Sequence, residues 1–413
     1  MIDAKAAAAM LGIKPQTLYA YVSRGLIRTA PKRGAKASLY HREDVEAVLL
    51  KSRKSDPSGA AAESVIRWGG SPVLRTAITS IGPEGPRYRG KLAIDLAQAK
   101  RPFEDCVELL WSGVLPAQSI VWQPAKIPAP FLEIIEAIRK IAKLTNSMRH
   151  LLALSTEAYA ACNGRNAELH LGAPVLAGRN LIQVLAPTLG LLGDKPNYAP
   201  SYEPEPVAAI VARSMGVPID EQEMDAINAC LILSADHELS PPTVAARISA
   251  SAGADIFSCV NSALGAFDGL LTGLGCDESE RTLLSASSPK NYLGMLEKYT
   301  RRKEPIPGYG HPLYPSGDPR ALYLIDVAKN ISPRTPRARL ALTCVDAAST
   351  ELGAAPNLTV GLAVISICLR LPEGATGGLM ALGRISGWVA NAFEQRLAGF
   401  LVRPRARYIG PVE

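Results

Sequence analysis

PGYGHPLYPSGDPRA, residues 307–321, decides how the rest of this 413-residue chain is read. It carries one of only five histidines. His311 follows Gly308 and Gly310, and glycine lets a backbone come close to something small. Seven residues after His311 begins Asp318-Pro319-Arg320, whose guanidinium fork fits a carboxylate. An imidazole and a guanidinium on one short loop point to a small carboxylate as the thing held.

Around this loop the pattern from Gly90 onward is almost all helix. KLAIDLAQAKRPFEDCVELLWSGVLP, EQEMDAINACLILSADHEL, PTVAARISASAGADIFSCVNSALGAF and GGLMALGRISGWVANAFEQRLAGFLV carry apolar residues at three- and four-residue spacing, with Pro and Gly at the joints. SPVLRTAITSIGPEG, just before, reads as a small hairpin. Two further polar clusters sit on the helical frame. Asp236, His237 and Glu238 end an apolar helix in SADHELSPPT, and Arg384 and Arg403 lie in LGRISGW and LVRPRARY. Two histidines and three arginines suit a small di-acid, with arginines fixing carboxylates and a histidine polarising a carbonyl.

At these segments the chain resembles the citrate synthase family. YRGKLAIDLAQ, ADHE, GYGHPLYPSGDPRA, LGRISGWVANAFEQ and RPRARYIG match its signature segments in family order, over about residues 80–413. The resemblance implies a mostly α citrate synthase fold, with a helical large domain and a small domain over about residues 273–362. It implies a homodimer, or a hetero-oligomer with an active homologue. It also implies that His237, His311, Arg320, Arg384 and Arg403 hold oxaloacetate or a citrate-like acid, with Arg403 supplied by the partner subunit. The implied reaction is an acyl transfer of the tricarboxylic acid cycle, joining acetyl-CoA as co-substrate to a 2-oxo acid. No bound cofactor or metal is implied.

Two positions depart from the family pattern. The histidine expected in a GPLHGGAN-like segment is Thr272 in DGLLTGLGCD, and the aspartate of a PNVDF-like segment is Thr359 in PNLTVGLA. A threonine hydroxyl has no useful basicity near neutral pH, and losing a positioned base costs about 10²–10⁴ in rate. Asp268, four residues before Thr272, would share its face if one helix ran through both. Cys276 has nothing basic near it in sequence.

The charge points to a second module. Residues 1–55 hold eleven Lys/Arg and four Asp/Glu, and the remainder holds 34 of each, so the whole net +7 lies in the first 55 residues. AKAAAAMLGIKPQTLYAYVSRGLI reads as two short helices turning at Gly12, followed by a basic loop and a third helix in HREDVEAVLL. This resembles the winged helix-turn-helix of the MerR/excisionase type. It implies double-stranded DNA as a partner, faced by Gln16, Thr17, Tyr19, Tyr21 and Arg24, with Lys32, Arg33 and Lys36 on the wing. Residues 1–55 are thus expected to form this module, 56–70 a linker and 71–413 the citrate synthase-like domain. Two readings stand side by side: a citrate synthase-type acyltransferase of weak or lost activity, and a ligand-sensing, DNA-binding pseudoenzyme.

The seven cysteines are scattered and never spaced as CxxC, which fits free thiols in a reducing compartment. No apolar run has membrane-spanning length and no signal peptide is recognisable, so a cytoplasmic protein is expected.

Overall fold

The computed structural model describes residues 2–11, 17–18, 21–22, 26–31, 38–42, 44–45, 74–145, 147–164, 168, 173–216, 220–269, 271–331 and 335–403. The chain divides into two compact units, Met1–Leu74 with Pro404–Glu413, and Arg75–Arg403.

In the first unit helix α1 spans Ala4–Leu11, and its Ala6 N–H is capped by the Asp3 carboxylate at 2.7 Å. Strands β1 (Thr29–Pro31) and β2 (Ser38–Tyr40) pair antiparallel, and Ile2 bridges Tyr40. Arg28 grips Asp44 through Nε at 2.8 Å and Nη2 at 2.9 Å, tying the start of the hairpin to the segment that follows it. Ala7, Leu11, Leu18, Ile27, Tyr40 and Val45 close a small core. Thr17 is helical and exposed; Tyr21 is helical and half-buried, packed against that core. Gln16, Tyr19, Arg24, Lys32, Arg33 and Lys36 lie outside the described residues, as does the expected linker.

The second unit opens with an antiparallel meander: β3 (Thr79–Gly82), β4 (Gly85–Tyr88) and β5 (Lys91–Leu92). Helices follow: α2 (Ala93–Gln98), α3 (Phe103–Ser112), α4 (Ala129–Thr145), α5 (Met148–Cys162), α6 (Pro174–Leu185), α7 (Val207–Ser214) and α8 (Glu221–Ser234). Then come α9 (Pro241–Ser251), α10 (Ile256–Phe267), α11 (Gly273–Ser285), α12 (Pro289–Arg302), α13 (Pro319–Asn330), α14 (Pro336–Glu351), α15 (Leu358–Cys368) and α16 (Ala375–Ala398). Proline at the first or second position opens α9, α12, α13 and α14, where its missing N–H costs nothing. No helix among the described residues is long and apolar enough to cross a membrane.

Helix α16 is the axis of this unit, packing against α3, α5, α6, α8, α9, α10, α11 and α15. Its glycines make that possible. A methyl on Gly378 would meet Met148 Cγ at 2.9 Å, and one on Gly383 would meet the Leu231 carbonyl at 2.6 Å. Gly387 faces Asp236 and the Ala235 carbonyl more closely still. The approach brings Arg384 on α16 against the end of α8, where His237 begins the next loop. Tyr88 on β4 pins the same corner from the other side, donating to the Ile232 carbonyl at 3.0 Å. We expect Gly387→Ala to destabilise the unit by about 1–3 kcal/mol, as overpacking of a dense interior does. Thermal unfolding of the variant against the parent checks this, and an unchanged midpoint would show that α8 and α16 are free to part.

Candidate functional site

Four of the five residues expected to hold a di-acid meet in one place. His237 lies in the loop between α8 and α9, and His311 and Arg320 lie in and just after the loop between α12 and α13. Arg384 comes from the middle of α16. The two imidazoles touch, Nε2 to Nε2 at 3.2 Å, with ring centroids 5.2 Å apart. Arg403 is exposed, and the structure shows no contact between it and the other four.

The His311 loop is held by backbone rather than by bulk. Gly308, Gly310 and Gly317 take φ of 85°, 77° and 114°, values that side chains rarely adopt. The Gly310 N–H donates to the Ala355 carbonyl at 2.7 Å, and the Asp318 N–H to the Pro356 carbonyl at 2.8 Å. Asn357 caps α15, receives the Thr359 N–H at 3.0 Å and donates its own amide to the Gly310 carbonyl at 3.1 Å. One asparagine therefore starts α15 and fixes the residue next to His311.

Hydrogen bonding assigns the protons. The Leu313 N–H donates to His311 Nδ1 at 3.2 Å, so a neutral His311 carries its hydrogen on Nε2. That hydrogen is donated to His237 Nε2, which leaves the His237 hydrogen on Nδ1, a buried atom with no partner. Both rings are neutral. Burial, then the charges of Arg320, Arg384 and His311, holds His237 well below its ordinary value. Burial, then Arg320, brings His311 down to about 4.

The arginines are not equivalent. Arg320, 2 % exposed, is closed on Asp318, with Nε to Oδ1 at 3.0 Å and Nη2 to Oδ2 at 2.7 Å. Burial opposes its charge, yet Asp318 holds the guanidinium above its ordinary value. The fork expected to stand open on this loop is thus occupied by its own neighbour. Arg384 makes one hydrogen bond, Nε to the Ser234 carbonyl at 2.7 Å. Burial pulls its proton affinity down, and the buried Asp236 carboxylate opposes that pull. Arg384 is the fork with donors left over.

The two departing positions are quiet. Thr359 donates to the Asn357 carboxamide oxygen, inside the cap it helps to form. Thr272 donates to the Phe267 carbonyl at 2.7 Å and stands just before α11. The helix that would align Asp268 with Thr272 does not run through: α10 ends at Phe267, Asp268 caps it, and α11 begins at Gly273. Gly269 stands in the break, and Gly273 opens the second helix. Asp268 is instead spent on a charge cluster around the buried Arg149, receiving its Nε at 2.5 Å with the exposed His150 Nε2 at 3.5 Å, while Arg149 also holds Asp277 at 2.6 Å. Cys276 is fully buried, and burial pushes its thiol up and away from reactivity.

Sequence reasoning missed Asp318 as the partner of Arg320, Asn357 as the tether of the loop, and Tyr314. The first had a signal, since an aspartate just before Pro-Arg sits where a helix is capped. Tyr314 stacks on His311 with centroids 4.8 Å apart, a contact that needs the loop's fold to be seen.

The neutral histidines make stability depend on pH. Unfolded, His311 takes a proton near 6.5; folded, it does so only at about 4. Stability is therefore full above about pH 6.5 and falls as pH drops through that window. Denaturant unfolding at several pH values should show this slope, and it should shrink in His311→Asn. An equal slope in the variant would mean that His311 is charged in the fold.

The matching family models are Citrate synthase, C-terminal domain, over residues 68–405, and Helix-turn-helix domain, over residues 1–53. Citrate synthase 2 of Bacillus subtilis (strain 168) is 29% identical over 350 residues, which covers 81% of this chain and 93% of that protein. Citrate synthase of Thermoplasma acidophilum, solved as a ternary complex with carboxymethyl coenzyme A and oxaloacetate, superposes with a TM-score of 0.68 at 24% identity. That match covers 83% of this chain and 95% of the other. Citrate synthase of Pyrobaculum aerophilum gives a TM-score of 0.69 at 22% identity, covering 83% and 92%. The chain is a member of the citrate synthase family that carries a helix-turn-helix domain at its N-terminus.

Proposed function

We propose that this protein binds oxaloacetate or a similar di-acid and has weak or no citrate synthase activity. One observation carries the reading: the residues expected to hold a di-acid come together while both threonine hydroxyls are spent on local hydrogen bonds, Thr272 to the Phe267 carbonyl and Thr359 to the Asn357 side chain. His237, His311, Arg320 and Arg384 converge, and the family's thermophilic relative was solved with oxaloacetate and a coenzyme A derivative. Removing a proton from an acyl methyl needs a base close by. Thr359 has neither the basicity nor a free hydroxyl, and Asp268 is held by Arg149. Arg403 from a second subunit, of this chain or of an active homologue, would supply the remaining charge for a dianion.

The second reading is a regulator. It is favoured by the helix-turn-helix domain and by the concentration of the whole positive charge in residues 1–55. Here the family fold senses the di-acid and the N-terminal module reads DNA through Gln16, Thr17, Tyr19, Tyr21, Arg24 and the wing cations. A protein of this kind works in the cytoplasm.

Two experiments test these readings. Thr272→His with Thr359→Asp should raise CoA release from acetyl-CoA and oxaloacetate by about 10²-fold or more over the parent, the usual worth of a positioned base. No gain would mean that these positions are not what the reaction lacks. For the regulator, DNA affinity should fall steeply with salt and drop in Arg24→Ala and Arg33→Ala. Affinity unchanged on deleting residues 1–55 would end that reading.

A further inference from the structure

We propose that Tyr314 is a ligand-binding residue of the di-acid site, its hydroxyl donating to the carboxylate that lies at the Arg320 end. The inference rests on the di-acid reading above.

The starting observation is an unpaired hydroxyl. Tyr314 is 3 % exposed, and its oxygen has no hydrogen-bond partner. A buried polar group without a partner is costly to keep. Its surroundings are those of the site itself. The ring stacks on His311 at 28° between planes, and the phenol feels the charges of Arg320 and Asp318. Burial pushes the phenol up to about 12, so at neutral pH it holds its proton and can donate it.

The state of the arginines says what the hydroxyl is for. A four-carbon di-acid has two carboxylate ends. Arg384, with one hydrogen bond made, can take one end in a fork. Arg320 has only its Nη1/Nη2 edge for the other end, because Nε and one Nη2 hydrogen are committed to Asp318 and Nη1 already reaches the Leu233 carbonyl at 3.4 Å. A carboxylate there meets a partly spent guanidinium beside a fixed negative charge. A neutral O–H donor at this point supplies the missing bond without another charge. Tyr314, stacked on His311, offers one.

The test is calorimetry on the full chain with oxaloacetate, malate and pyruvate, comparing the parent with Tyr314→Phe. The phenylalanine keeps the stack and removes one oxygen. The di-acids should bind about 10-fold more weakly or worse, as for a lost hydrogen bond to a charged group. Pyruvate, which has no second carboxylate, should lose less than about 2-fold. The ligand-free variant should melt at or above the parent temperature, since an unsatisfied hydroxyl has been taken away. A purely structural tyrosine would show the reverse, a lower melting temperature and no selective loss. Equal di-acid affinity in parent and variant overturns the inference and leaves the di-acid reading standing. A parent that binds neither di-acid overturns both.

Discussion

Two buried arginines set the terms for everything around them. Arg320 and Arg384 place guanidinium charge where almost no water reaches. Such charge persists only when paired or hydrogen-bonded. Asp318 pairs with Arg320 from the cap of α13, and the Ser234 carbonyl at the end of α8 receives Arg384. The consequence is local polarity of one kind. Both histidines sit beside fixed positive charge in a buried corner, so both are neutral, and the chain of donors from Leu313 through His311 to His237 follows. A site of neutral imidazoles and half-satisfied guanidinium groups is built to receive oxygen atoms that accept hydrogen bonds.

Much of this was legible in the sequence. The hairpin before Gly90 and the helical body follow from periodicity and punctuation, and the convergence of His237, His311, Arg320 and Arg384 from the resemblance to the citrate synthase family. The small N-terminal unit shows the expected first helix and a pair of strands around the basic loop. What was not legible depends on local closure. Whether α10 and α11 form one helix depends on the short stretch at Gly269, whose effect a spacing rule does not capture, so Asp268 looked closer in role to Thr272 than it is. The Arg320 fork looked open because a bidentate partner two residues away is invisible until the cap forms. The orphaned Tyr314 hydroxyl needed the loop to fold back on α15. Arg403 was expected to come from a partner subunit, and it stands apart from the other four within this chain.

The contrast between grip and chemistry is the point on which the protein turns. The family fold supplies a rigid axis in α16 and a loop clamped by Asn357, and both are intact here. The Thr272 and Thr359 hydroxyls are spent on local hydrogen bonds, to the Phe267 carbonyl after α10 and to the Asn357 side chain at the start of α15. On the proposed reading, binding survives the loss of turnover.

The most direct measurement is CoA release by the purified full chain given acetyl-CoA and oxaloacetate, run beside calorimetry with oxaloacetate alone. Binding with no CoA release above the uncatalysed background is the predicted result. Sustained turnover would contradict it, and would mean that a residue other than Thr359 supplies the base.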